Sequence, residues 1–257
     1  MPKALITGAA GGVGRILRAG LPALGWELRG FDVAPGEGDW VVGDVRDPAA
    51  LDTACAGVDA VVHLAARSIE APFPDVLSVN MDGTYQVFEA ARRAGVRRVV
   101  FASSNHAVGA TPRSGLLPVD AVPRPDGYYG LSKVFGEGLC SLYADKEGMQ
   151  VVAIRIGSCF ERPTSVRMLA TWLSPGDANR LFHAALTAPV HYEVVYGISA
   201  NTRGWWDLEP ARKLGYEPQD DAEVFAAEVI AEYGEFPPDH PENSRPGGAW
   251  TTDPLPR

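Results

Sequence analysis

Thr7-Gly8-Ala9-Ala10-Gly11-Gly12-Val13-Gly14 is the stretch that decides the fold. It follows the apolar run Ala4-Leu5-Ile6 and leads directly into Arg15 to Leu24, which carries helical periodicity. Glycine at Gly8, Gly11 and Gly14 suits a tight turn, close approach of backbone to a pyrophosphate, and close packing of helix on strand. The helix start at Gly12 and Val13 would present unpaired N–H donors to the same phosphates. A glycine triplet alone is weak evidence and describes many turns; one set between a strand and a helix predicts a dinucleotide site.

Working outward, short β-rich apolar runs alternate with helical periodicity, the mark of βαβ units and a parallel sheet. The runs predict strands at Lys3 to Thr7, Glu27 to Asp32, Trp40 to Gly43, Ala60 to Leu64, Arg98 to Ser103 and Gln150 to Ile156, with a seventh at Glu193 to Ile198. Helices are expected over Gly12 to Leu24, Ala49 to Ala54, Val76 to Ala94, Tyr129 to Glu147 and Ala222 to Tyr233. The fold class that follows is α/β, a Rossmann-type doubly wound parallel sheet with a small C-terminal substrate-binding part. Residues 1–235 read as one domain. Residues 236–257, crowded with proline, glycine and polar residues, read as an irregular tail, either an extended arm, which could lie across a neighbouring subunit, or a partly disordered segment. Trp205 and Trp206 read as core.

The 257 residues are 46% hydrophobic and 21% charged, ordinary globular usage. With 23 basic against 32 acidic residues the net charge is −9, which makes a phosphate-tracking surface and a nucleic-acid partner poor expectations. The three cysteines, Cys55, Cys140 and Cys159, form no C-x-x-C pair and suit a reducing compartment. Nothing in the pattern calls for a metal. The apolar run after Met1-Pro2-Lys3 is too short for a signal peptide or a spanning helix, so no membrane is expected and the cytoplasm is the expected address.

The second strand ends at Asp32, where a carboxylate can accept hydrogen bonds from the adenosine ribose. Val33-Ala34-Pro35-Gly36 offers no cation for a 2′-phosphate, so Asp32 selects NAD over NADP. Asp44-Val45, after the third strand, is placed to line the adenine. Tyr129 and Lys133 are four residues apart at the start of a helix and so share a face. A phenol titrates near about pH 10, and a neighbouring ammonium is expected to favour the phenolate. The fifth strand delivers Ser104, Asn105 and His106 to the carboxyl edge of the sheet, where open α/β folds bind ligands.

Glycine triplet, strand-end Ser104, Tyr129 and Lys133 resemble, in order and spacing, the short-chain dehydrogenase/reductase superfamily over roughly residues 1–160. The resemblance implies that Ser104 bonds the reacting oxygen, Tyr129 exchanges its proton, and Lys133 holds the nicotinamide ribose. It further implies that Asn80 supports the lysine through water and that Leu64-Ala65-Ala66 passes the cofactor. A narrower resemblance is to the uronate dehydrogenases. It rests on Ser103-Ser104-Asn105-His106-Ala107-Val108-Gly109, Arg155-Ile156-Gly157-Ser158-Cys159-Phe160 and Arg167-Met168-Leu169-Ala170-Thr171-Trp172-Leu173-Ser174. This resemblance implies NAD-dependent oxidation of D-glucuronate or D-galacturonate at C1 to an aldaro-lactone. Ser68, Ser104, Asn105, His106, Tyr129 and Ser158 would contact the sugar and Arg167 would clamp its carboxylate. By resemblance the chain is also expected to form a homo-oligomer through the Tyr/Lys helix. Two other readings remain open: a nucleotide-sugar epimerase or dehydratase, which shares loop, tyrosine and lysine but usually has more chain after the lysine, and a dinucleotide sensor without catalysis.

Overall fold

Seven parallel strands make the main sheet of the computed structural model, which describes residues 1–256. In chain order the strands are β1 (Lys3–Thr7), β2 (Glu27–Asp32), β3 (Trp40–Val42), β4 (Ala60–His63), β5 (Arg98–Ser104), β6 (Gln150–Ile156), the short pair β7 (Ser158–Cys159) and β8 (Trp172–Leu173), and β9 (Tyr192–Gly197). The main sheet runs β3-β2-β1-β4-β5-β6-β9, all neighbours parallel. The order therefore reverses between β1 and β4, the switch point at which such sheets open a crevice at their carboxyl ends. Thr7 pairs with both Phe31 and His63, so the loops after β1, β2 and β4 emerge at one level around that point.

The helices that matter here are α1 (Gly12–Gly20), α2 (Pro48–Cys55), α3 (Phe73–Val76), α4 (Gly83–Arg93), α5 (Tyr128–Glu147), α6 (Met168–Thr171) and α7 (Pro175–Thr187). Successive strand residues face opposite sides of a pleated sheet, and the strands are apolar on both. Ile6, Val62 and Ile154 pack with Leu17, Leu181 and Phe182 of α1 and α7. Leu5, Val61 and Ala153, one residue away in each strand, pack with Leu51, Phe88 and Ala144 of α2, α4 and α5. Helices thus cover both faces, as a parallel sheet requires. Trp205 and Trp206 are buried with Tyr196 and Leu117 in a third cluster beyond the sheet edge.

Three expectations change. The helix expected over Val76 to Ala94 is interrupted by a π-helical stretch, Leu77–Asp82, before α4 begins. Helix α7 was not anticipated, although Ser174, whose hydroxyl accepts from the Asp177 N–H at 2.9 Å, caps it, Pro175 opens it, and Ala178, Leu181, Phe182 and Ala185 keep helical spacing. The tail, expected to be extended or partly disordered, is strapped to its own chain: Arg113 N–H donates to Ser244 (2.8 Å), Gly247 N–H to Gly109 (3.0 Å) and the Arg245 guanidinium to Ala110 (2.6 Å). Short helical turns, Pro241–Ser244 and Gly248–Thr251, shape this strap. No helix among the described residues is long and apolar enough to cross a membrane.

Candidate active site

At the switch point lies a cleft of about 840 Å³, large enough for a dinucleotide fragment and a small substrate together. The phosphate end is built by the loop from β1 to α1. Gly8 has φ +72°, and a Cβ there would lie 2.8 Å from the Ala65 backbone nitrogen, so only glycine lets this loop pass the end of β4. A Cβ on Gly14 would lie 2.4 Å from the Gly8 carbonyl oxygen, whereas one on Gly12 would meet nothing. Gly14 therefore packs the helix onto the loop, and Gly12 leaves open space in front of it. No side chain caps the N-terminus of α1 and no acidic residue lies in its first turn. Its free N–H groups and positive dipole end fit a pyrophosphate.

Asp32 stands at the end of β2, its carboxylate oriented by the N–H groups of Ala10 (3.0 Å) and Ala34 (3.1 Å). Asp44 also lines the cleft, with its carboxylate held by Arg46 at 2.6 Å, and Val45 is buried beside it against Gly83. These features fit the adenosine half of NAD.

The chemical end gathers on β5 and α5. Glu70 receives the N–H groups of Tyr128 (2.7 Å) and Tyr129 (3.0 Å) and so fixes the start of α5. Tyr129 is almost fully buried. Lys133, one turn on, has its ammonium 5.3 Å from the Tyr129 ring centre and donates to the Ala102 carbonyl at 2.8 Å. Burial pushes the phenol up to about 12, with the Ser104 hydroxyl opposing the rise and Asp126 adding to it. Burial also brings the ammonium down to about 8. In the protein by itself burial is the largest influence on both groups, and the ammonium donates to the Ala102 carbonyl.

Behind this pair Glu137 accepts from Ser103 (2.6 Å) and bidentately from Arg155 (both 2.8 Å), all three buried. This knot ties α5, β5 and β6 together directly below the cleft. In front, Ser104 caps the turn that follows β5. His106 is held by Asp126 at 2.7 Å and packs 4.3 Å from Trp250.

The strap closes the far wall. The Pro246 carbonyl accepts from Asn105 at 2.6 Å and also from the Arg167 guanidinium. Arg167 is largely buried, its Nε has no partner, and burial pulls its charge-holding tendency below the ordinary value against the carboxylates of Glu242 and Asp126. A buried guanidinium with N–H groups to spare beside a cleft has the donors that an anion would accept from. Ser158 lines the same wall with its hydroxyl 2.9 Å from that of Thr171, and Ser68 rims the cleft from the loop after β4.

The NAD dependent epimerase/dehydratase family matches residues 4–175. The chain belongs to that family. As a member of an NAD dependent family it takes NAD as its cofactor. Among known proteins, this family member is 45% identical to the uronate dehydrogenase of Pseudomonas syringae pv. tomato over 90% of this chain and 86% of that one. It is 39% identical to the L-arabinose 1-dehydrogenase (NAD(P)(+)) of Haloferax volcanii, covering 86% of this chain and 98% of that one. Its fold superposes on a variant of the Agrobacterium tumefaciens uronate dehydrogenase complexed with NAD with a TM-score of 0.93, at 39% identity, covering 99% of this chain and 98% of that one.

The structure brings every site residue expected from the sequence to this cleft except Asn80. Asn80 sits in the π-helical stretch, accepts from the Arg67 N–H at 2.8 Å, and donates to the Arg67 carbonyl and the Ser132 hydroxyl, both at 3.1 Å. It braces the loop carrying Ser68 and does not touch Lys133. The sequence reading missed Glu242, Gly247 and Trp250 on the strap, and Asp126. Asp126 had a signal in the turn-forming Pro125-Asp126-Gly127; the strap had only its glycine pair and one tryptophan.

Proposed function

We propose that this enzyme oxidises the pyranose form of a uronic acid, D-glucuronate, D-galacturonate or both, at C1 to the aldaro-lactone. One observation carries the reading: a buried, incompletely paired guanidinium, Arg167, stands in the same cleft as Ser104, Tyr129 and Lys133. That pairing suits a substrate with an alcohol to oxidise at one end and a carboxylate at the other. NAD, when bound, supplies the hydride acceptor. In its phenolate form Tyr129 accepts the C1 hydroxyl proton and becomes the phenol, Ser104 donates a hydrogen bond to the oxygen as it becomes a carbonyl, and Lys133 holds the ribose and relays a proton from the phenol to restore the phenolate. Asn105, His106, Ser158 and Ser68 would bind the ring hydroxyls. Most of the work is positioning and electrostatic.

The test follows NADH absorbance with NAD or NADP against glucuronate, galacturonate, glucose, L-arabinose and a UDP-sugar. NADH from uronates, abolished by Tyr129→Phe and lost chiefly through KM in Arg167→Ala, supports the reading. Turnover of L-arabinose in preference to uronates would replace it with a neutral-sugar dehydrogenase. A UDP-sugar converted without net NADH would replace it with an epimerase, and binding without turnover with a sensor.

We also propose that two copies pair along α5. Leu131, Phe135 and Leu142 fall on one face of that helix and stay exposed, with Leu77 and Tyr85 exposed on the neighbouring segment, an apolar patch of the kind that marks an interface. Light scattering that returns only monomers would remove this. The free thiols fit a reducing compartment, and we place the enzyme in the cytoplasm.

A further inference from the structure

Asp126 is a buried carboxylate in an unusual position. Its side chain is fully buried and its Oδ2 lies 2.7 Å from the His106 Nδ1. Among the described residues its Oδ1 has no hydrogen-bond partner. Around it the backbone has been cleared of side chains: a Cβ on Gly109 or Gly247 would fall within 2.1 Å of its oxygens, and one on Gly130 within 3.0 Å. Three glycines from three segments thus make room for one carboxylate, and among the described residues one imidazole is its only hydrogen-bond partner, with the Arg167 guanidinium close enough to feel its charge. Burying a charge with so little hydrogen bonding is costly, and the one direct contact its side chain makes is to His106.

An ionised carboxylate only accepts, so the proton it binds must be on Nδ1, and the neutral imidazole then carries its lone pair on Nε2. The ring has no freedom to turn that atom elsewhere. It lies edge-on to Tyr129 at 5.7 Å and 4.3 Å from Trp250, tilted at 31° to that ring, and His106 lines the cleft. We propose that Asp126 is a positioning residue that locks His106 as a hydrogen-bond acceptor beside Tyr129, so that the site selects sugars presenting a donating hydroxyl next to the carbon being oxidised. His106 then cannot donate to a ring oxygen, an ether or a deoxy position there. The proposal rests on the uronate reading for the identity of the sugar, and on geometry alone for the locked tautomer.

Asp126→Asn keeps the shape but can present an N–H to Nδ1, which moves the ring proton to Nε2 and turns the acceptor into a donor; a comparable carboxylate-to-amide change reverses a histidine tautomer in the serine-protease triad. Imidazole ¹⁵N spectra of the NAD complex, with the His106 signals assigned by their loss in His106→Gln, read the tautomer without turnover. The expected result is Nδ1–H in the wild type and Nε2–H in Asp126→Asn. In steady-state kinetics Asp126→Asn should raise KM for the uronate about 10- to 100-fold, the scale of one mispaired polar contact, with kcat within about threefold and NAD affinity unchanged. Adding Asp126→Asn to His106→Gln should raise KM no further, because the two act as one unit. A residue with a merely structural role would give additive losses and weaker NAD binding, and would overturn the proposal. So would an Nε2–H signal in the wild type, a measurement that needs no Asp126 variant to fold. If uronates are not oxidised yet the tautomer reverses, the positioning role stands and the substrate reading falls; if they are oxidised and the tautomer is unchanged, only this proposal falls.

Discussion

Replacing Lys133 by methionine should make the NAD-free enzyme more stable at neutral pH while abolishing its activity. The lysine is 5% exposed, and burial lowers its ammonium from 10.5 to about 8. At about 1.4 kcal/mol per tenfold change in proton affinity, that depression represents roughly 3 kcal/mol of folding free energy lost whenever the group is charged. Because the folded value lies below the unfolded one, this contribution is missing below pH 8 and is recovered as pH rises from about 8 to 10.5. Methionine has similar length and no charge to desolvate, although it forfeits the hydrogen bond to the Ala102 carbonyl, worth about 1 kcal/mol. The variant should therefore be about 2 kcal/mol more stable at pH 7, roughly 4–8 °C in Tm. By about pH 10.5 it should be slightly less stable, a swing of roughly 3 kcal/mol between the two proteins. The difference matters more than either curve, because the buried thiols Cys55 and Cys159, pushed up to about 12, make both proteins less stable above about pH 9 and cancel when one curve is subtracted from the other. Urea unfolding at pH 7, 8.5 and 10 provides the data. A difference that stays flat across that range would mean that Lys133 is not charged at a cost in the folded enzyme.

Other substitutions test the remaining parts. Gly14→Ala drives a methyl into the Gly8 carbonyl at 2.4 Å, so it should cost about 1–3 kcal/mol of stability and weaken NAD in a titration. Gly12→Ala, which meets nothing, should leave unfolding unchanged and weaken NAD alone; equal losses of stability in both would contradict the cradle. Asp32→Ser should lower the ratio of NAD to NADP efficiency at least tenfold, about 1.4 kcal/mol, and an unchanged ratio would remove Asp32 from cofactor choice. Glu137→Gln strands the Arg155 charge and should cost about 3–5 kcal/mol in urea unfolding; a loss below 1 kcal/mol would mean the knot under the cleft is dispensable. Deleting residues 245–257 should raise the KM for uronate at least tenfold with NAD affinity retained, since the strap walls only the sugar end, and an unaltered KM would show the strap to be ornament.

The parts of this fold that were legible are those in which chemistry repeats along the chain. Four of the main strands, β1, β4, β5 and β6, announce themselves because both faces of a parallel sheet are buried, which leaves continuous runs such as Val99-Val100-Phe101. The glycine loop is legible because steric demands at Gly8 and Gly14 admit one residue type. Tyr129 and Lys133 are legible because a helix converts a spacing of four into adjacency. The π-helical stretch was not, since Leu77 to Asp82 keeps ordinary apolar spacing and its wider turn is fixed by Asn80 bonding across to the Arg67 backbone. That partner is distant in sequence and leaves no periodic trace.

The strap shows where such reading stops. Its residues bury little apolar surface in sequence-regular fashion, so they look like a solvated arm, yet they are held by backbone carbonyls and amides meeting groups on other segments. A carbonyl at Pro246 is invisible in a sequence because every residue has one. What makes it structural is that Asn105 and Arg167 are both aimed at it. The arrangement also bears on how the strap and a substrate share those donors. An arginine offers five N–H groups, and Pro246 takes from one terminal nitrogen, so the guanidinium can hold the strap and still present donors to a carboxylate in the cleft. Asn105 is committed more fully, with its amide nitrogen on Pro246 and its oxygen 3.2 Å from the Ser104 hydroxyl. Under the proposed function the strap therefore reaches the proton-transfer end through Ser104 and the carboxylate end through Arg167, and a change at Pro246 should be felt at both ends of the sugar.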